Sequence, residues 1–150
     1  VESHTDLTST LFSVIGRFRR QLRRSAGQSF ESAQLTESQA ELLRLVGRRP
    51  GISVSMAATE LGLVANTAST LVSKLTGGGL LVRAVDSADR RVYRLCLTEP
   101  AQQMVDASRA ARRTTLTEVL DTLDPSEVAD LTKGLEILDT MTRILQERST

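Results

Sequence analysis

The sequence predicts a mainly α fold carrying a small β-wing, and three observations predict it. Residues 53 to 79, SVSMAATELGLVANTASTLVSKLTGGG, read as two short helices broken at Gly62. LLVRAVD and RVYRLCLT, residues 80–86 and 91–98, then alternate apolar and polar side chains as two strands joined by the turn SADR. Longer stretches with apolar residues three or four apart lie on both sides of this centre. A helix pair followed at once by a hairpin is a winged helix-turn-helix, here between helical arms.

The elements can be justified in chain order. Leu7, Leu11, Val14, Ile15, Phe18 and Leu22 recur at helical spacing from about Asp6 to Ala26, with Arg17, Arg20, Arg23 and Arg24 on the opposite face. A loop through Gly27 leads to LTESQAELLRLV, where Thr36 and Gln39 have capping-box spacing and Leu43 and Val46 point inward. This second helix is expected to end near Gly47, before the turn RRPG. In the central pair, Ala58 supplies a small residue where helices touch, Gly62 the tight turn, and Ala68 and Leu71 the apolar anchor of the second helix. The triplet Gly77, Gly78, Gly79 stops that helix. In the second strand Tyr93, Leu95 and Leu97 share one face, and Val92, Arg94 and Cys96 the other. Thr98 with Pro100 opens a long helix to about Leu123. Asp124-Pro125-Ser126-Glu127 supplies an N-cap, an N1 proline and an acid at N3 for a last helix. On it Val128, Leu131, Leu135, Leu138, Met141 and Leu145 form one stripe, and Ile137 and Ile144 widen it to a second side.

Composition bounds the function classes. A chain of 150 residues with net charge +1 suits a single domain and is not basic enough overall to announce a nucleic-acid partner. Charge distribution is more informative: residues 36 to 98 hold eight bases against five acids, and residues 99 to 150 hold ten acids against six bases. Lys74 and Lys133 are the only lysines, so nearly every cation is a guanidinium able to grip phosphate or base edges bidentately. A genome-wide preference for arginine codons would leave the same trace. Cys96 is the sole cysteine, which excludes an internal disulfide and fits a reducing cytoplasm. No apolar run reaches the roughly 20 residues of a membrane span, and VESHTDLTST lacks the regions of a signal peptide, so a soluble cytoplasmic protein is expected.

Two surfaces carry the candidate chemistry. Around the second helix of the pair, Leu63, Ala68, Leu71, Val72 and Leu75 fall inward and leave Ala65, Asn66, Thr67, Ser69, Thr70, Ser73 and Lys74 outside. Those short hydrogen-bonding side chains let a helix backbone approach the floor of a DNA major groove, whereas an ordinary solvated face is richer in Glu, Lys and Gln. The hairpin tip, Asp86 to Arg91, puts Arg90 and Arg91 on a thin projection that fits a minor groove, with Asp89 placed to hold a guanidinium.

Residues 57 to 98 resemble the MarR family of bacterial transcription regulators. The family's Gly-Leu-Val-x-Arg strand stands as Gly79-Leu80-Leu81-Val82-Arg83, and its Asp-x-Arg-Asp-x-Arg wing as Asp86-Ser87-Ala88-Asp89-Arg90-Arg91, followed by Leu97-Thr98. Ala88 departs from the pattern, so the first wing arginine's contact is lost or supplied by Arg90. Gly77 and Gly78 replace the usual charged helix end. The resemblance implies one domain over 1–150, with a DNA-binding lobe at 36–98 and dimerisation arms at 1–30 and 99–150. It further implies a homodimer on a palindromic duplex, and a small-molecule effector between arms and lobe, where Leu11, Phe12, Ile15 and Phe18 are candidates for lining the pocket; plain core is the alternative for them.

Other chemistries find little support. His4 is the only histidine, so neither a metal cluster nor a base for a serine or Cys96 nucleophile is evident. The three glycines follow a helix instead of opening one, unlike a phosphate cradle. Cys96 reads as a redox switch or an inert strand residue. The sequence therefore points to a non-enzymatic, cofactor-free, sequence-specific DNA-binding regulator, and the resemblance implies repression with release by a small-molecule effector. The alternatives are a winged helix that binds protein instead of DNA and, for the last helix, a monomer that folds it back on itself.

Overall fold

The computed structural model describes residues 4–25 and 34–149. The Gly27 loop and Phe30 lie outside the described residues. Within them the order is α1 (His4–Ser25), α2 (Glu37–Arg48), α3 (Val54–Leu61), α4 (Ala65–Gly77), β1 (Leu81–Val85), β2 (Tyr93–Leu97), α5 (Glu99–Leu120) and α6 (Pro125–Arg148). The mainly helical fold with a β-hairpin wing is the one the sequence predicts.

Capping chemistry sets the helix starts. Thr36 Oγ1 accepts from the Gln39 amide at 3.2 Å while Gln39 Oε1 accepts from the Thr36 amide at 2.9 Å, so two otherwise orphaned donors are satisfied reciprocally. Asp124 and Glu127 repeat the device at α6, and Thr98 caps α5. Gly62 ends α3 at φ 65°, and the Leu63 amide reaches back to the Ala58 carbonyl at 2.9 Å to close the turn into α4. An L side chain at that φ would be strained, which is why the pair breaks there.

The hydrophobic centre is one cluster. Leu42, Leu43 and Val46 of α2, Val72 and Leu75 of α4, Leu81 of β1, Leu95 of β2 and Val105 of α5 are all buried in it. β1 and β2 pair antiparallel from Leu81↔Leu97 to Val85↔Tyr93. A third segment thickens the ribbon base, because the Gly51 amide donates to the Leu95 carbonyl at 2.8 Å and the Leu95 amide to the Ile52 carbonyl at 2.9 Å. The arms are different. α1 packs against α5, yet neither α1 nor α6 buries a single residue, and Phe12 is 79% and Leu145 62% exposed. Among the described residues, no helix is long and apolar enough to cross a membrane.

Two boundaries differ from expectation. α5 ends at Leu120, not about Leu123, and turn hydrogen bonds from Asp121, Thr122 and Leu123 follow. Pro125 explains this: it forces Asp124 into an extended conformation (ψ 164°), so the chain must leave the helix before it. α2 runs through Gly47 to Arg48. Gly47 is there for close approach and does not terminate the helix: a Cβ at this position would stand 2.9 Å from Val105 Cγ1 and 3.4 Å from Leu97 Cδ1.

Gly47→Ala should therefore destabilise the fold by about 1–3 kcal/mol through overpacking, although alanine is the better helix former. A lower urea midpoint at unchanged slope is the expected result; an unchanged or higher midpoint would show that α5 yields without cost.

Candidate nucleic-acid interface

α4 has two chemically distinct sides. Ala68, Val72 and Leu75 are buried, with Leu71 half-buried beside them, and Asn66, Thr67, Ser69, Thr70, Ser73 and Lys74 are all exposed. The division follows from a 3.6-residue period on a helix packed along one stripe. Thr70 donates its hydroxyl to the Asn66 carbonyl at 2.9 Å, which leaves its oxygen free to accept. The Lys74 ammonium has no side-chain partner among the described residues. Ser73 is not idle: its Oγ accepts from Arg83 Nη2 at 2.8 Å.

The ribbon leaves the body at one face. On that face buried Leu81 stands opposite Leu97 at the base, Arg83 opposite buried Leu95 comes next, and the exposed pair Val85 and Tyr93 lies beyond. The loop beyond is organised by two carboxylates. Asp86 accepts from the backbone amides of Ala88 (3.1 Å) and Asp89 (3.0 Å) and from Arg94 Nε (3.1 Å). Arg94 also donates to the Gly51 carbonyl, tying the loop to the third segment of the ribbon base. Asp89 accepts from the Arg91 amide at 3.0 Å and from its Nε at 3.2 Å. The tip is thus held by short-range polar ties, with the Arg91 side chain 91% exposed. Arg90 is exposed with no side-chain partner among the described residues.

These ties shift both carboxyls. The Arg94 guanidinium, then the Asp89 amide, hold Asp86 below the ordinary carboxylate value, against partial burial. The Arg91 side chain and then its amide do the same for Asp89, against burial and the Asp86 charge. Sequence reading took Asp89 as the acid that holds the tip and gave Asp86 no such role. The signal was available, since an aspartate two and three residues before the amides it accepts is an Asx-type turn.

A second feature lies between arms and lobe, where a pocket was expected, but with a lining the sequence did not indicate. Between α1, α2 and α5 lies a cavity of about 500 Å³ whose lining includes Arg44, Arg48, Arg109, Arg112 and Arg113. Loss of water pushes the Arg112 pKa down, Arg44 repels it further, Glu37 partly offsets this, and Arg48 and Arg19 add repulsion. Of the expected effector residues, Phe18 lines an adjoining groove with Arg19, Arg23, Glu37 and Glu41. Leu11 is half-buried, and Phe12 and Ile15 are exposed. Among the described residues no group of three or more His, Cys, Asp or Glu could hold a metal ion.

Residues 33–92 match the MarR family. The fold is also shared with solved structures. FabT of Streptococcus pneumoniae in complex with DNA is 20% identical with a TM-score of 0.80, over 95% of this chain and 99% of that one. A putative MarR family transcriptional regulator from Listeria monocytogenes complexed with 26mer DNA is 20% identical with a TM-score of 0.74, over 92% and 90%. The transcriptional regulator SlyA is 22% identical with a TM-score of 0.73, over 93% and 96%.

The wing carries its own acid limit. Because both aspartates are held below 3.8, their ties are fully present above that value and are lost only as pH falls through the depressed values. In an NMR titration, the amide shifts of Ala88, Asp89 and Arg91 should stay constant through the ordinary carboxylate range and move below it. Movement centred at or above 3.8 would mean that the carboxylates do not hold the tip.

Proposed function

We propose that this chain, a MarR-family winged helix through residues 33–92, is a sequence-specific DNA-binding transcription regulator that works as a homodimer, most simply as a repressor. One observation carries the reading: α4 presents a continuous exposed face of short hydrogen-bonding side chains, and the ribbon beside it ends in an ordered tip bearing Arg90 and Arg91. On this reading α4 lies in the major groove, where Asn66, Thr67, Ser69 and Thr70 meet base edges and Lys74 a phosphate. Asp89 presents the Arg91 guanidinium, with Arg90 beside it, to the narrow and strongly negative minor groove. The shared fold with two proteins solved on DNA supports the placement.

The arms support a twofold partner. α1 carries five arginines against one acid, α6 five acids against three bases, and both leave apolar stripes uncovered. A second copy buries apolar area and pairs opposite charge at the same contact, and it presents two copies of α4 to a palindrome. The arginine-lined cavity supports an anionic effector. Its walls come from α2, which packs on α3 and α4, and from α5, which belongs to an arm, so an anion preferring one spacing of those helices shifts the population between them.

Duplex affinity should fall steeply with salt, as phosphate neutralisation requires. Arg91→Ala should weaken binding with fold intact, Arg90→Ala more mildly, and Lys74→Ala should weaken all sequences alike. Asn66→Ala or Thr70→Ala should change base preference by about 1–3 kcal/mol per contact. Sedimentation should find two chains per duplex. Equal affinity for wild type and the double wing variant, or salt-independent binding, would favour instead a winged helix that docks on protein.

For the effector, a screen of small carboxylates and phosphates should find one that lowers operator affinity of wild type and spares Arg112→Gln. Equal response of both proteins would remove the cavity from the mechanism.

A further inference from the structure

We propose that Arg83 is a positioning residue that sets the angle between α4 and the wing, so that helix and ribbon meet DNA as one rigid reading head; this rests on the DNA-binding reading above. Three observations carry it. Arg83 Nη2 donates to Ser73 Oγ at 2.8 Å, linking the middle of β1 to the exposed side of α4. The guanidinium carbon stands 5.9 Å from the centroid of the Tyr93 ring on β2, within cation–π range. Arg83 lies where the ribbon leaves the core: it stands opposite Leu95, the last buried residue of that face, and the next pair outward, Val85 and Tyr93, is exposed.

A two-stranded ribbon bends most easily just past its last packed residue. Arg83 spans that point, with one end of its planar fork on the helix and its guanidinium carbon over the Tyr93 ring of the partner strand, and a lysine's point charge lacks the fork that makes both contacts. Asp86 and Asp89 shape the tip but do not connect it to α4; the Arg83–Ser73 hydrogen bond does. Ser73 accordingly serves as the anchor for Arg83, and base reading on α4 falls to the residues nearer its start.

Tyr93 is the only tyrosine and the chain has no tryptophan, so intrinsic fluorescence reports this joint in the free protein. Arg83→Met, Arg83→Lys and Ser73→Ala should each change the Tyr93 emission or its quenching by iodide without changing the helical circular dichroism. On the palindromic duplex that the intact protein selects from a randomised pool, each should weaken binding by roughly 10-fold, with the double variant Ser73→Ala/Arg83→Met no weaker than Arg83→Met alone. The penalty of Arg91→Ala should shrink in the Arg83→Met background, because a wing already out of register has less to lose. If Ser73→Ala binds as wild type while Arg83→Lys retains affinity and salt slope, Arg83 is a direct phosphate contact and the proposal falls. An unchanged Tyr93 signal in all three variants overturns it without reference to DNA. Failure of the intact protein to select any duplex would instead sink the DNA-binding reading, with the joint still judged by the tyrosine signal.

Discussion

Burial of Leu81 and Leu95 under α2 and α4 is the contact on which the working part of this protein depends. Two five-residue strands do not form a stable ribbon in water by themselves. Removing two leucine side chains from solvent contributes about 2 kcal/mol each, and the extra hydrogen bonds from Gly51 and to Ile52 keep the base in register. Once the base is fixed, the tip can be thin and solvated. It then has no core to give it shape, and the two aspartates supply by hydrogen bonding what packing cannot.

The same chain divides sharply in how it satisfies its apolar residues. The central lobe closes on itself, whereas α1 and α6, each more than five helical turns long, leave leucines, isoleucines and phenylalanines at the surface. Helices of that length and composition gain most of their stability from a covered face. The charge imbalance between them, basic on α1 and acidic on α6, is of the kind that favours one helix against the other. A self-complementary partner satisfies both conditions with no further sequence cost.

What was legible in the sequence was what depends on neighbours along the chain. Thr36 with Gln39, Asp124 with Glu127 and the break at Gly62 are local signals, and each forms as its spacing implies. The exposed face of α4 followed from period alone. What was not legible depends on residues that meet only after folding. Gly47 served only to mark the neighbourhood of the helix end, and its structural reason, the passage of Val105, lies on a helix far along the chain. The five arginines of the cavity are split between α2 and α5, and no spacing links them. Ser73 counted as one more polar residue on the outer face until the ribbon brought Arg83 to it. Site residues at α4 and the tip were named from pattern, and their roles remain those proposed above.

The clearance at Gly47 also limits how the arms can communicate with the lobe. Any sliding of α5 along α2 must carry Val105 past a backbone that has no Cβ at one position only, and neighbouring side chains such as Val46 are already buried in the cluster. Packed interiors do not deform continuously, so a translation of even one residue step would collide. The arginine cavity includes Val105 itself in its lining, and opens from that contact along α5 toward Leu116 and Leu120. An anion drawing Arg44 and Arg48 of α2 toward Arg109, Arg112 and Arg113 of α5 would therefore act on the α2–α5 contact at this point. In a twofold assembly held by the arms, a shift at that contact would change the separation of the two α4 helices, and it would have to pass through the shared core, because Ala101 and Val105 of α5 belong to it.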